Sequence, residues 1–268
     1  MAVLDLHFFS TSIVSQVRVN LIIPERKGKP GEKFPVLYLL HGGSGNSTDW
    51  LRNSGIARYA EKKGVAVVMP CSGPSRWLNM AMGTNYGDFV VEELPRMLER
   101  FFPQLSTERE NTMIGGLSMG GGGALELAMM YPEKYAAVCV LSTSSVIPLE
   151  HLRKSQWSPT PFGGEGAPSL SQVHLGVDDP DELAGTKYDV LWQSRQNMEQ
   201  GKPLPRVFHA VGSEDHGFEV GLALRQHFLS LPGNPYQYEF FTGQTGHCWE
   251  FWDKWIQVFL DRIPQSAC

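Results

Sequence analysis

The chain has 268 residues, 42% of them hydrophobic and 19% charged, with a formal net charge of −5. That length buries the core of one α/β domain or two small ones, and the composition excludes a disordered protein. The acidic balance offers no basic footprint for nucleic acid, and no apolar run approaches the length of a membrane span. The N-terminus has no basic stretch before its apolar residues and carries Asp5 early, so it does not read as a signal peptide. Cys71, Cys139, Cys248 and Cys268 are scattered without C-x-x-C spacing. Free thiols in a reducing, cytoplasmic setting are expected.

In chain order, Val3–Phe9 and Val14–Ile23 read as strands, the second with Val17, Val19 and Leu21 alternating with polar residues. Residues Pro24–Lys33, rich in charge, Gly and Pro, predict a hairpin-like connection. Pro35–Leu40 and Val65–Met69 are apolar throughout, the mark of strands buried on both faces. A helix is expected over Leu51–Lys63, and another over Asp88–Phe102, where Pro95 must kink it or start a fresh turn. Strands at Thr112–Ile114, Ala136–Leu141, Arg206–Val211 and Tyr236–Phe241 alternate with helices near Ala124–Met130, Phe218–Leu229 and Trp249–Arg262. This alternation predicts a mostly parallel sheet with helices on both faces. Between Ser142 and Pro203 the pattern breaks down into prolines, glycines, an acidic patch and scattered aromatics. We read residues 142–203 as an insertion over the sheet's C-terminal edge, within a single domain spanning 1–268.

The chemistry centres on Gly116-Leu117-Ser118-Met119-Gly120, a G-x-S-x-G pattern with an apolar strand before it and a helix-forming segment after it. In that context the pattern is a nucleophile elbow, in which a serine sits on a strained turn between flanking residues that must lack side chains. The alternative is a glycine-rich turn whose serine merely caps the helix. Gly120–Gly123 argues against that alternative, because each glycine weakens a helix by roughly 1 kcal/mol relative to alanine. A run of them implies that other backbone comes close. Ser118 is the expected nucleophile.

A serine hydroxyl needs a base, and the base needs an orienting acid, in the chain order Ser, then Asp or Glu, then His. His247, in the loop after Tyr236–Phe241, is the expected base, with His216 its nearest rival. Asp215 is the favoured acid and Glu214 its alternative. The oxyanion requires two backbone N–H donors. Met119 supplies one, and the His41-Gly42-Gly43 loop the other, through Gly43 or, next to it, Gly42.

These residues carry a resemblance. Leu39-Leu-His-Gly-Gly43, Gly116-Leu-Ser-Met-Gly-Gly121, Gly212-Ser-Glu-Asp215 and Gly246-His-Cys-Trp-Glu-Phe-Trp252 resemble the esterase D family of α/β-hydrolases. The nearest branch is the tributyrin-esterase-like acetyl and short-chain acyl esterases, and the similarity runs over nearly the whole chain. Phe89-Val-Val-Glu-Glu-Leu-Pro95 matches the helix that precedes the elbow strand. The resemblance implies an α/β-hydrolase fold with Ser118 as nucleophile, Asp215 as acid and His247 as base. Cys248 departs from the small or polar residue common in such relatives, which would make the enzyme thiol-sensitive.

The expectation is therefore a serine carboxylesterase acting on short-chain acyl esters through an acyl-enzyme, with no metal or organic cofactor. A small-molecule ester is the partner, an acylated sugar among the candidates. Feruloyl, acetylxylan and S-formylglutathione esters are alternative substrates, and a non-catalytic binding protein of the same fold is the rival from another class. Trp157, Trp192 and Trp249 are candidate pocket residues, together with Gly42. The residues demand no particular oligomeric state; a homo-oligomer would draw on the insertion and the helices after the elbow.

Overall fold

The computed structural model describes residues 1–25, 31–152 and 168–263. Eight strands form one sheet in the order β1-β2-β4-β3-β5-β6-β7-β8. They are β1 (Ala2–Ser10), β2 (Ser15–Ile23), β3 (Val36–Leu40), β4 (Ala66–Pro70), β5 (Thr112–Leu117), β6 (Ala137–Leu141), β7 (Arg206–Ala210) and β8 (Glu239–Phe241). β1 and β2 form an antiparallel hairpin, and β2 runs antiparallel to β4. All pairings from β4 through β8 are parallel.

The all-apolar strands take the centre because both faces there are covered. In β3, Val36, Tyr38 and Leu40 point into one core and Leu37 and Leu39 into the other. Helices α1 (Asp49–Asn53), α2 (Ile56–Lys63) and α9 (Trp249–Arg262) cover the second face. The first face is covered by α4 (Leu94–Phe101), α5 (Met119–Met130), α7 (Val190–Glu199) and α8 (Phe218–Ser230). Two short helices, α3 (Tyr86–Asp88) and α6 (Leu170–Leu175), lie in connections. Among the described residues no helix is long and apolar enough to cross a membrane.

Several boundaries differ from expectation. Pro24–Lys33 does not close a hairpin, because β4 lies between β2 and β3. The half-polar β2 belongs toward the sheet's edge, whereas β3 needs a parallel neighbour on each side. Val14 is not in the strand: at φ 56° it belongs to the β1–β2 turn. The helix expected over Leu51–Lys63 breaks at Ser54–Gly55 into α1 and α2. The last strand is shorter than Tyr236–Phe241, starting at Glu239.

Pro95 acts as expected, and its mechanism is visible. Residues Phe89–Glu93 form a π-helical turn in which Leu94 N–H reaches back to the Phe89 carbonyl, and α4 then starts with Pro95 in its first turn. The wider turn removes the need for the N–H that proline lacks. Glu93, on that turn, accepts from Ser10 Oγ at 2.6 Å and from the backbone N–H groups of Thr11 and Ser12, tying the β1–β2 turn down.

Candidate active site

Parallel strands present their C-terminal ends along one edge, and Ser118, the His41–Gly43 loop, Asp215 and His247 lie in the segments that follow β5, β3, β7 and β8 there. β5 is buried throughout and delivers Ser118 at φ 53°, ψ −120°. This backbone conformation is strained for any residue with a Cβ. Ser118 N–H donates to the Leu141 carbonyl at 2.8 Å, which anchors the turn to the end of β6. The side chain makes no capping bond to α5. The helix-cap alternative therefore does not describe this serine.

The glycines after it serve close approach. A Cβ on Gly120 would stand 2.5 Å from the carbonyl oxygens of Leu40 and His41, and one on Gly123 would stand 2.5 Å from that of Arg76. The first turn of α5 is thus wedged against the end of β3 and the connections that follow β3 and β4. Its N-terminus, where Met119 N–H lies, carries the positive end of the helix dipole.

The loop after β3 sits against the nucleophile: a Cβ on Gly42 would meet Leu117 Cδ1 at 2.6 Å and Ser118 Cβ at 3.3 Å. His41 holds this loop. Its buried ring donates from Nδ1 to the Gly42 carbonyl at 2.7 Å and accepts the Ser72 N–H on Nε2 at 3.0 Å. Burial lowers its pKa, which keeps the ring neutral in the one tautomer these partners permit. Gly45 N–H also reaches the Gly42 carbonyl, and Trp77 Nε1 donates to the His41 carbonyl at 3.1 Å. In a trans peptide the N–H points opposite to the C=O. Fixing the Gly42 carbonyl therefore fixes the direction of Gly43 N–H. A Cβ built on Gly43 meets nothing within 4 Å.

The loops after β7 and β8 are knitted together. Ser213 N–H donates to Gly243 and Glu214 N–H to Thr245, at 2.9 and 3.0 Å. This places Asp215 against His247, with Nδ1 to Oδ2 at 2.9 Å. Asp215 is 3% exposed, while its neighbour Glu214 faces solvent. Burial pushes the Asp215 carboxyl up, but the hydrogen bonds from His247 and Gly217 N–H outweigh it and leave the pKa below the ordinary value. His216 stands 3.5 Å from Asp215 Oδ1, and its ring packs 4.3 Å from that of His247.

Among the described residues, Asp215, His216 and His247 are the grouping that offers three metal-ligand atoms, all within 4.8 Å of one another. An ion there would have to displace the proton that bonds His247 to Asp215, so the donor set fits an acid–base pair better than a resident metal.

Of the candidate pocket residues, Gly42 lies against Ser118, and Trp249 connects to the base through Trp252. Trp249 packs edge-on against Trp50 and Trp252, each at 5.2 Å, and Trp252 packs edge-on against the His247 ring at 4.8 Å. Trp192 is 40% exposed on α7, and Trp157 lies outside the described residues. Sequence reasoning missed Trp252 as a neighbour of the base and Ser142 as the acceptor of its indole N–H. Trp252 was legible only as an anchor of the last helix, and a serine after a buried strand carries no signal of its own.

A family profile described as "Putative esterase" matches residues 10–263. The chain belongs to this esterase family. The match agrees with the resemblance read from the motifs. This esterase is similar to an acetyl esterase of Caldicellulosiruptor saccharolyticus, with 30% identity over 266 residues and 96% of each chain covered. It is also similar to the structure of the Staphylococcus aureus fluorophosphonate-binding serine hydrolase FphF, with 25% identity, 98% of each chain covered and a TM-score of 0.84. The S-formylglutathione hydrolase FrmB from Staphylococcus aureus is comparable, at 25% identity, 98% of each chain and a TM-score of 0.81.

Proposed function

We propose that this esterase is a serine carboxylesterase for short-chain acyl esters, with Ser118, His247 and Asp215 as its triad. Ser118 Oγ attacks the ester carbonyl while His247 Nε2 takes its proton, and Asp215 holds the imidazole and stabilises the imidazolium. The tetrahedral oxyanion is received by Met119 and Gly43 N–H. His247 then gives its proton to the leaving alcohol, and water repeats the cycle on the acyl-enzyme. The observation that carries the reading is the hydrogen bond from His247 Nδ1 to buried Asp215. It commits Nδ1 to the acid and leaves Nε2 as the basic nitrogen.

The reading takes an acetyl to butyryl range, and the acetyl esterase relative supports its acetyl end. The rest of the reading is a single hydrolase domain, with residues 142–203 as a cap shaping the acyl pocket through Trp157, Trp192 and Trp249. A cytoplasmic location and no cofactor complete it. The test is the initial rate on p-nitrophenyl acetate, butyrate and octanoate, with S-formylglutathione and methyl ferulate alongside, for wild type and Ser118→Ala. Fastest turnover of acetate or butyrate, abolished by the substitution, is the expected result. Faster turnover of the thioester or ferulate would reassign the substrate, and activity surviving Ser118→Ala would overturn the triad.

A further inference from the structure

The proposed reaction gives His216 no task, yet the loop after β7 turns it onto the acid–base pair. Asp215 N–H bonds back to the Gly212 carbonyl and Phe218 N–H to that of Asp215, so the chain doubles over between β7 and α8. His216 Nδ1 then stands 3.5 Å from Asp215 Oδ1, and His247 Nδ1 stands 2.9 Å from Oδ2. The two imidazole rings pack at 4.3 Å with 45° between their planes. The Asp215 side chain has no exposed surface, whereas those of His216 and His247 are 29% and 26% exposed. The cluster is a buried carboxylate behind two imidazoles that solvent reaches.

Two imidazoles and a carboxylate suit a transition ion such as Zn2+, and do not suit Mg2+ or Ca2+, which seek oxygen ligands throughout. Zn–N and Zn–O bonds of about 2.0–2.2 Å put two ligands of a tetrahedral ion about 3.4 Å apart. The separations of the two rings from Asp215, 2.9 and 3.5 Å, lie within about 0.5 Å of that edge. The three ligand atoms all lie within 4.8 Å of one another, and rotation of the partly exposed His216 side chain closes the remainder. A carboxylate oxygen has more than one acceptor site, so Oδ1 keeps its bond from Gly217 N–H at 2.8 Å. The fourth position falls to water.

We infer that Asp215, His216 and His247 form an inhibitory site for a divalent transition ion, Zn2+ above all. The ion is a visitor and not a resident, because it competes with the proton on His247 Nδ1. A neutral imidazole carries one proton, so a metal on Nδ1 moves that proton to Nε2. Nε2 then has no lone pair with which to take the proton of Ser118. The ion thus switches off the base by changing its tautomer, with no change in oxidation state anywhere. The site stands on the geometry of the cluster, and its effect on rate rests on the triad proposed above.

The test reads turnover of p-nitrophenyl acetate in zinc chloride, each variant being compared with its own rate in EDTA, together with calorimetric zinc binding to Ser118→Ala. Expected is inhibition that EDTA reverses in full, with Mg2+ and Ca2+ inert at the same concentration. Ser118→Ala should bind one equivalent of zinc while turning nothing over. His216→Phe keeps an aromatic ring against His247 but offers no ligand. It should raise the inhibition constant by at least about 10-fold, since even an outer-shell partner of a metal contributes that much. Added to Ser118→Ala, it should weaken the calorimetric affinity by the same factor. If His216→Phe fails to fold, His216→Gln takes its place. Cys248→Ser should keep wild-type zinc sensitivity. Equal sensitivity in wild type and the His216 variants would overturn the site, and so would its loss in Cys248→Ser, which would move the ion to the thiol. Tight binding to Ser118→Ala beside undiminished wild-type turnover in zinc would overturn the blocked base. Activity surviving in Ser118→Ala sinks the triad instead, and the calorimetric comparison with and without His216→Phe still decides the site.

Discussion

His41 Nδ1 donates 2.7 Å to the carbonyl of Gly42, the residue that follows it. The bond orients a peptide plane whose other end is Gly43 N–H, so a buried, neutral histidine sets the aim of a proposed oxyanion donor. Its ring does not touch the reacting atoms in this scheme; its effect passes through the backbone.

His41→Ala should therefore slow the chemical step and spare ground-state binding. Deleting an oxyanion donor costs about 10²–10³ in kcat, and misaiming one should cost about 10- to 100-fold. Affinity for a boronate that mimics the tetrahedral intermediate should fall in parallel with kcat/KM, while KM stays close to wild type. Inhibition constants and steady-state rates on the same preparations check this. Loss of substrate binding with boronate affinity intact would point instead to a pocket role.

The acid loop offers a contrast within two adjacent residues. Asp215 is buried against His247 and Glu214 faces solvent. Asp215→Asn should lower kcat by up to about 10⁴-fold, as the same change does in a Ser-His-Asp protease by favouring the wrong tautomer. Glu214→Gln should change kcat by no more than about twofold, as expected of a surface charge. Comparable losses in both would mean that the pair has been misassigned.

That contrast also shows what the sequence could and could not reveal. Continuous apolar runs such as Val36–Leu40 announced central strands, and Gly116–Gly120 announced the elbow, because each pattern has one physical cause. Between Glu214 and Asp215 the sequence left a choice, since burial is decided by how the Ser213–Gly243 and Glu214–Thr245 bonds turn the loop. The place of β4 between β2 and β3 is likewise a pairing of segments far apart in the chain. The bond from Trp252 to Ser142 was illegible for the same reason: its partners are 110 residues apart.

Close packing at the elbow predicts opposite outcomes for two glycines. A methyl group at Gly120 would lie 2.5 Å from two backbone oxygens that cannot move without displacing the β3 loop. Gly120→Ala should destabilise by at least the roughly 1–3 kcal/mol typical of overpacking. Gly43→Ala, whose methyl group meets nothing within 4 Å, should stay within about 0.5 kcal/mol of wild type. Its activity should fall if the added methyl crowds the proposed oxyanion site. Urea unfolding of the two variants separates the cases, and equal stability losses would contradict the packing described.

Acid should weaken the fold in two stages. Burial lowers the pKa of His209 to about 3 and those of His174 and His227 to about 4, from an ordinary 6.5. Above pH 6.5 these rings are neutral in both folded and unfolded chains. As the pH falls from 6.5 toward 4, the unfolded chain takes up protons that the folded chain refuses, so stability declines. The slope is at most about 1.4 kcal/mol per pH unit for each ring. Glu93 acts lower: burial pushes its carboxyl up, but bonds from Ser10, Thr11 and Ser12 hold it at about 2, so its contribution fades between 4.5 and 2. His227→Gln, which keeps a hydrogen-bonding group beside Ser194 but cannot take a proton, should flatten the first stage by one ring's share. Urea-unfolding free energies measured from pH 8 to pH 4 check the slope. A wild-type profile flat between pH 6.5 and 4.5 would show that these rings titrate alike in the folded and unfolded chains.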